Sequence, residues 1–325
     1  MPSAAPQSYY GRPVLKEPVW TWEAPAYFFA GGLAAGSSLL AVAADAAGDA
    51  PSARRGRLVA AAAVVASTGL LISDLGRPER FHHMLRVAKV TSPMSVGAWA
   101  LAVYGPAAGG AAAADVLGVT PRLGRAAGHV AAAVAPLIAG YTAVLVSDTA
   151  IPVWHEARRE LPFVFVGGAA ASTGAIALAL AAGCEPGAAQ SARRLTVLGA
   201  LLELSATAVM ERRLPPSVAR PYREGRSGRL ARVARALTAG GAALVLVGGW
   251  VQATETLGSA CVLSGALVHR YAVVAAGRAS ARDPFAATSQ RPATGRAHLT
   301  GATFMEAPGR QSSRVDDRLR DRAPR

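Results

Sequence analysis

Long apolar runs alternate with polar connections along this chain, and the pattern predicts eight membrane-spanning helices. Each run carries few charges and approaches the roughly 20 residues that a helix needs to cross a bilayer. Alanine and glycine are abundant in the runs, and such small residues let membrane helices pack closely. We therefore predict an all-α integral membrane protein. The predicted spans are 25–47, 58–73, 93–116, 126–147, 161–182, 192–210, 236–251 and 256–276.

The segments outside this membrane domain (25–276) differ from it in composition. Residues 1–24 form a polar, proline-punctuated arm without the apolar core of a cleavable signal peptide. Residues 277–325 are rich in arginine, serine and proline and have few large apolar side chains, which predicts a disordered tail.

An even number of spans places both termini on one side of the membrane, which we call the N side. The long polar connections 74–92, 148–160 and 211–235 also lie there, whereas the connections on the opposite, far side are short. Arginine is in excess in the N-side connections, and positive loops normally stay in the cytoplasm. This predicts a multi-pass protein of the cell inner (plasma) membrane with both termini cytoplasmic.

Composition narrows the function classes further. The 325 residues are 52% hydrophobic and carry a formal net charge of +14. The arginines lie in connections and in the tail, as topology signals do, so we do not infer a nucleic-acid partner. Cys184 and Cys261 are far apart, and two such residues cannot hold an iron–sulfur cluster or a structural zinc ion by themselves.

The polar stretch DLGRPERFHHMLRVAKVTSPMSVGAW at 74–99 is the densest in charged and aromatic residues between two apolar runs. Gly76 and Pro78 end the incoming helix, and Ser92-Pro93 begins the next one. This connection is longer than a turn requires, which indicates a function. An ordinary positively charged surface loop is the simpler alternative.

Ionisable residues at membrane depth are costly and are functional candidates by default. Glu23 opens the first helix, Glu203 lies inside the sixth and Arg270 inside the eighth. Glu203 and Arg270 would pair if their helices are neighbours, and both a structural pair and a proton path remain open. Asp148, on the N side, completes the candidates for proton transfer.

A haem and a quinone are the two redox ligands that a membrane protein of this kind could bind. A haem would need two facing histidines at matching depths, but His129 and His269 lie towards opposite sides. A quinone needs an aromatic slot with hydrogen-bond donors and proton-transfer groups, which Tyr27, Tyr141 and the N-side carboxylates offer. The pattern therefore favours a quinone over a haem, although many membrane proteins share it.

Four motifs together make the chain resemble the NrfD/polysulfide reductase (PsrC-like) membrane-subunit family. The resemblance covers most of residues 9–276. The motifs are WTWEAPAYFFAGGLAAG at 20–36, SDLGRPERFHHMLRV at 73–87, TSPMSVGAW at 91–99 and GYTAVLVSDTAIPVWHEARRELPF at 140–163.

This resemblance implies an architecture and a role. It implies eight helices in two four-helix bundles and no haem or iron–sulfur cluster of the chain's own. It also implies a pocket for quinone or quinol, of the menaquinone type, in the N-terminal bundle. It implies a docked ferredoxin-like iron–sulfur subunit and a catalytic subunit, often a molybdopterin enzyme, in anaerobic respiration. The implied quinone-binding residues are Glu23, Tyr27, Asp74, Arg77, His82, His83 and Tyr141.

Two other functions and one conflict stay open at this point. An ion or solute transporter would use Glu203 and Arg270 as a relay, although the two halves show no convincing repeat. A purely structural anchor would recruit a partner without binding quinone. The best-known family members work with periplasmic catalytic subunits, whereas the charge bias places the motif-bearing face in the cytoplasm.

Overall fold

The computed structural model describes residues 15–181, 186–248 and 252–283, and this part of the chain is helical throughout with no strand. The N-terminal residues 1–14 and the predicted tail from 284 onwards lie outside it. The α-helices are α1 Glu23–Ala46, α2 Ala50–Asp74, α3 Pro93–Leu117, α4 Pro121–Ser147, α5 Pro152–Glu156, α6 Leu161–Leu180, α7 Pro186–Arg213, α8 Pro216–Arg223, α9 Gly225–Val247 and α10 Gln252–Arg282, and a 3₁₀ helix covers Pro78–Leu85.

Seven of these helices are long and apolar enough to cross a membrane, namely α1, α2, α3, α4, α6, α9 and α10. This confirms the predicted multi-pass helical class. The remaining long helix, α7, has 28 residues but carries Arg193 and Arg194 near its start, Glu203 in its middle and further charges at its end. These charges reduce its apolar character, so composition alone does not identify α7 as a membrane-spanning helix.

Several helices are longer than predicted. Helix α2 begins at Ala50 rather than 58, because Asp49 accepts a hydrogen bond from the Ser52 amide (3.1 Å) and Pro51 occupies the first turn. Helix α9 begins at Gly225 rather than 236, and α10 continues to Arg282 rather than ending at 276. Arginine is a good helix former, so charge ends the apolar run without ending the helix.

The long helices pack into two neighbouring sets. Helix α1 packs against α2 and α4, and α3 packs against α2 and α4. In the second set α6 and α9 each pack against α7 and α10. Helices α1 and α6 also contact each other and α10, and α4 contacts α6, so these elements join the two sets.

Ion pairs tie the chain together at both ends of the helices. At the far-side end, Arg57 of α2 bridges Asp45 and Asp115, each at 2.5 Å. At the N-side end, where α1 begins, Glu17 pairs with Arg282 at 2.8 Å. Arg57 was predicted as a loop residue acting as a topology signal, but it lies inside α2, is largely buried and links three helix ends.

Candidate functional site

A pair of carboxylates marks the N-side end of α1 and α2. Glu23 is the first residue of α1 and Asp74 is the last residue of α2. Thr21 lies between them: its hydroxyl donates to the Glu23 carboxylate, and its amide and hydroxyl interact with Asp74. The structure therefore brings together two carboxylates that are far apart in the chain, in a position where their like charges repel each other.

Tyr27 lies one helical turn below Glu23, on the same face of α1. It is buried, and its carbonyl accepts a hydrogen bond of 3.3 Å from the Ser67 hydroxyl of α2. Its ring contacts Phe28, with ring centroids 5.4 Å apart. Glu23, Tyr27 and Asp74 thus all lie where α1 meets α2, and the sequence alone could not show that these helices are neighbours at this point.

Tyr141 occupies a different position. Its ring packs against Gly97 of α3 so closely that a methyl group there would overlap the ring. Tyr141 lines a mainly apolar groove of 370 Å³ that includes Thr91, Pro136 and Val144, and neither Glu23 nor Asp74 belongs to its lining. The structure therefore separates the predicted quinone residues into a carboxylate group and a tyrosine groove.

Arg77, His82 and His83 lie at the exposed surface, with the two histidines inside the 3₁₀ helix. The two imidazole rings contact each other edge to face, with centroids 4.4 Å apart. The resemblance implies Arg77 as a residue of the quinone pocket and the two histidines at its rim, and the structure leaves all three side chains exposed.

The SPMSVGAW motif holds this connection onto α3. Ser95 and Trp99 are one turn apart on α3, and both donate to the Val87 carbonyl, at 2.9 and 3.3 Å. Ser95 also accepts from the Lys89 amide at 2.9 Å. The spacing of four residues between Ser95 and Trp99 is the signal in the sequence that both side chains can bind the same carbonyl.

Replacing Ser95 with alanine is expected to loosen the 74–92 connection without unfolding the helices. The variant loses two hydrogen bonds, each worth about 0.5–1.5 kcal/mol. Amide hydrogen exchange at residues 86–90 should increase several-fold. The matched control is Ser92→Ala, because the Ser92 side chain makes no capping hydrogen bond. Unchanged exchange in Ser95→Ala would contradict this assignment.

A second polar cluster is buried between α6, α7 and α10. Nδ1 of His269 lies 2.7 Å from Oε1 of Glu203, and Nη1 of Arg270 lies 3.8 Å from the same oxygen. Arg270 Nη2 donates to the Phe165 carbonyl at 2.8 Å, and its guanidinium lies 4.0 Å above the Phe165 ring centroid. The structure thus joins the predicted pair Glu203 and Arg270, and adds His269.

The packing around this cluster leaves no space for another side chain. A methyl group at Gly168 would lie 2.8 Å from Glu203 Oε1 and 2.9 Å from Arg270 Nη2. Within the described residues, Glu203 Oε2 and the Nε and Nη1 atoms of Arg270 are buried without a hydrogen-bond partner. In the sequence, the adjacent pair His269-Arg270 in an apolar run was the signal for this cluster. Asp148, the other predicted proton-transfer residue, is exposed at the end of α4.

Aromatic side chains connect the N-terminal arm with this cluster. Trp154 of α5 is fully buried and donates from Nε1 to the Val273 carbonyl at 2.8 Å. Trp20 stacks on Trp154 with centroids 5.3 Å apart, and Phe28 contacts both Trp20 and Phe165 at 6.0 Å. The two tryptophans of the arm differ in environment: Trp22 is exposed, whereas Trp20 packs against the core.

A cavity of 600 Å³ opens at the N-side end between the arm, α9 and α10. Arg220, Arg226, Arg278 and Arg282 line it together with Glu224 and Asp283. Beside it, burial raises the pKa of the Tyr222 phenol, and the Glu211 carboxylate raises it further. The hydrogen bond from Arg220 to Glu224 raises the pKa of that guanidinium. The lining carries four arginines against two acidic side chains and is therefore basic.

The fold and these polar clusters define a multi-pass helical membrane protein with polar groups at one end and a charged cluster in its interior. The sequence profile of the family described as polysulphide reductase, NrfD matches residues 13–280. The chain belongs to this family, which confirms the resemblance inferred from its motifs. No curated protein matches the chain. Across the described ranges, no group of three His, Cys, Asp or Glu side chains is placed to hold a metal ion.

Proposed function

We propose that this protein is the membrane anchor and quinone-reacting subunit of a multi-subunit oxidoreductase. In this proposal α7 also crosses the membrane, giving eight spans in two four-helix bundles. The observation that carries the proposal is the Glu23–Thr21–Asp74 contact above Tyr27, in a chain that belongs to the NrfD family. Two neighbouring carboxylates at the bilayer edge can take up and release the protons that accompany quinone reduction or quinol oxidation.

Partners follow from the same proposal. Electrons pass between the quinone pool and a docked ferredoxin-like iron–sulfur subunit, and from there to or from a catalytic subunit of the molybdopterin type. The exposed rim of Arg77, His82 and His83 and the basic cavity offer a docking surface at the N-side end. Following the charge bias, we place this end in the cytoplasm and the protein in the inner membrane.

The residues divide the chemistry between them. Glu23 and Asp74 hold and exchange protons, and Tyr27 lies one helical turn from Glu23 on α1. Tyr141 provides an aromatic wall and a hydroxyl in a separate groove. The chain itself supplies binding, orientation and proton transfer, while the quinone accepts or donates the electrons.

Quinone-analogue binding to the purified protein in detergent tests the proposal. Asp74→Asn and Glu23→Gln are each expected to weaken saturable binding about tenfold, or about 1.4 kcal/mol. The matched control is Glu79→Gln, which removes an exposed carboxylate on the 3₁₀ helix and should leave binding unchanged. Equal affinity in all four proteins would contradict the assignment and favour a purely structural anchor.

A second candidate function is ion translocation, favoured by the buried cluster of Glu203, His269 and Arg270. Proton transfer through this cluster, with Asp148 as an exposed relay group, would couple to the quinone reaction or act without it. Proton flux in proteoliposomes that contain this subunit alone would support a transporter. Flux that requires quinone turnover in the assembled complex would support the redox subunit.

A further inference from the structure

The cavity of 600 Å³ at the N-side end has both charged and apolar walls. It lies between the start of α1, the segment that joins α8 to α9, and the end of α10. Its apolar lining includes Pro25 of α1, Leu230 of α9 and Val274 of α10, and its charged lining includes four arginines. Ligand sites commonly have volumes of about 300–1,000 Å³ and combine an apolar lining with a few polar groups. An occupant of this cavity should therefore carry both an apolar part and a charged part.

Carboxylates neutralise only part of the arginine charge at this cavity. Arg220 forms an ion pair with Glu224 at 2.8 Å, and Arg282 forms one with Glu17 at 2.8 Å. Asp283 is the third carboxylate at the cavity. Three carboxylates thus face four guanidinium groups, which leaves the site with an excess of one positive charge.

Arg226 and Arg278 are the lining arginines without a close carboxylate partner. Within the described part of the chain Arg226 makes no ion pair, and it lies in the first turn of α9. The first amides of a helix have no acceptor inside the helix and carry partial positive charge, which adds to that of the guanidinium. Arg278 Nε is buried without a hydrogen-bond partner and lies 3.6 Å from Glu17, the carboxylate that Arg282 already binds. An anion in the cavity would therefore contact Arg226 and Arg278.

The cavity lies at the level where the headgroups of a bilayer are expected. Trp22, whose side chain is 61% exposed, lines it, and α1 begins at the next residue. Tryptophan is enriched at the membrane–water interface, because its ring is apolar and its N–H is polar. Tyr271 of α10 also lines the cavity and donates from its hydroxyl to the Trp22 carbonyl at 3.0 Å. A lipid of the surrounding bilayer can therefore reach the arginines without leaving the membrane.

We propose that this cavity binds one anionic phospholipid of the bilayer, such as phosphatidylglycerol. The phosphodiester carries one negative charge, which matches the excess charge of the site, and it contacts Arg226 and Arg278. The acyl chains pack on the apolar lining, including Leu230 and Val274. Basic pockets between membrane helices bind acidic lipid headgroups in this way. The inference goes beyond the proposed redox function, because it requires neither a quinone nor a partner subunit.

Native mass spectrometry of the purified subunit in a mild detergent, titrated with dioleoylphosphatidylglycerol, tests the charged part of the site. Arg226→Gln/Arg278→Gln is expected to weaken binding of the first lipid about tenfold. The matched control is Arg159→Gln/Arg229→Gln, which removes two exposed arginines at the same end of the protein but outside the cavity lining. This control should bind the lipid as the wild-type protein does. Arg226→Gln alone, at an exposed position, should fold normally and weaken binding several-fold.

A cavity-filling variant tests the apolar part of the site. Ala279 lines the cavity, so Ala279→Phe should weaken lipid binding several-fold while all four arginines remain. The matched control is Ala239→Phe, at an exposed position of α9 outside the lining, which should leave binding unchanged. Thermal unfolding identifies variants that fail to fold. Glycerol 3-phosphate and inorganic phosphate lack acyl chains and should not displace the lipid; displacement by either at equal concentration would show a site for soluble anions and overturn the proposal.

Three other results would also overturn it. Equal affinity of the wild-type protein for dioleoylphosphatidylcholine would show general contact with lipid and no selection of the anionic headgroup. Equal affinity of the two double arginine variants would show an effect of surface charge alone. Absent lipid binding, together with loss of the iron–sulfur subunit from a complex that carries Arg226→Gln/Arg278→Gln, would show that an acidic segment of the partner occupies the cavity.

The lipid result and the quinone-binding result can fail independently. Lipid binding with no quinone-analogue binding in the wild-type protein contradicts the proposed function and leaves the lipid site in place. Quinone-analogue binding with no lipid binding removes the lipid site alone.

Discussion

Replacing Glu203 with leucine is expected to destabilise the protein by about 3–5 kcal/mol, because it leaves a buried charge unpaired. Glu203 is 1% exposed and is the acidic partner of both His269 and Arg270. In the variant Arg270 retains the Phe165 carbonyl and ring but no carboxylate. Thermal unfolding in detergent, with the midpoint compared at equal protein and detergent concentration, measures the loss.

The double variant Glu203→Leu/Arg270→Met separates pairing from packing. A buried ion pair replaced by apolar side chains of similar size is often nearly neutral, so the double variant should recover most of the lost stability. The control is Arg220→Ala, which breaks a pair with Glu224 in which the two side chains are 64% and 62% exposed, and should leave stability nearly unchanged. A double variant less stable than Glu203→Leu would show that the pair itself is not what matters.

Replacing Trp154 with alanine is the other change with a large expected effect. Truncating a buried tryptophan costs about 3–5 kcal/mol through lost contacts and the cavity left behind. This variant also loses the hydrogen bond to Val273 and the stacking partner of Trp20. We therefore expect a lower unfolding temperature and release of the N-terminal arm, measured as faster tryptic cleavage after Lys16.

Two further substitutions show whether the indole ring of Trp154 itself holds the arm. Trp154→Phe keeps an aromatic ring for Trp20 but removes the indole donor, so it should destabilise less and release the arm less. Trp22→Ala changes a neighbouring tryptophan that is 61% exposed, and should leave stability and cleavage nearly unchanged. Cleavage at Lys16 that is equally fast in the wild-type protein and in Trp154→Ala would show that Trp20 does not anchor the arm.

Together these predictions give the two polar regions different roles. The Glu23–Asp74 pair lies at the N-side edge of the fold, where we propose that it exchanges protons with the quinone. The Glu203 cluster lies in the interior, where its removal affects stability as well as any proton transfer. Substitutions in the first region are therefore expected to change binding, and those in the second to change both.

The membrane helices and the family could be predicted from the sequence because both depend on local patterns. The length of an apolar run identifies a membrane-spanning helix, because the helix must be long enough to cross the hydrocarbon core of the bilayer. The motifs around 74–99 and 140–163 carried the family resemblance, which the profile match over 13–280 confirms. The helix ends were less predictable: α2, α9 and α10 continue through arginine-rich segments because charge does not interrupt backbone hydrogen bonding.

By itself, therefore, the sequence determined a multi-pass helical protein and the identity of its polar motifs. The tertiary structure decided which polar groups meet. It joined Glu203 with His269 and Arg270, stacked Trp20 on Trp154, and separated Tyr141 from the Glu23–Asp74 pair. Such contacts depend on which helices are neighbours and on how each helix is rotated about its axis. The hydrophobic pattern of one membrane helix determines neither its neighbours nor its rotation, because its lipid-facing and protein-facing sides are both apolar.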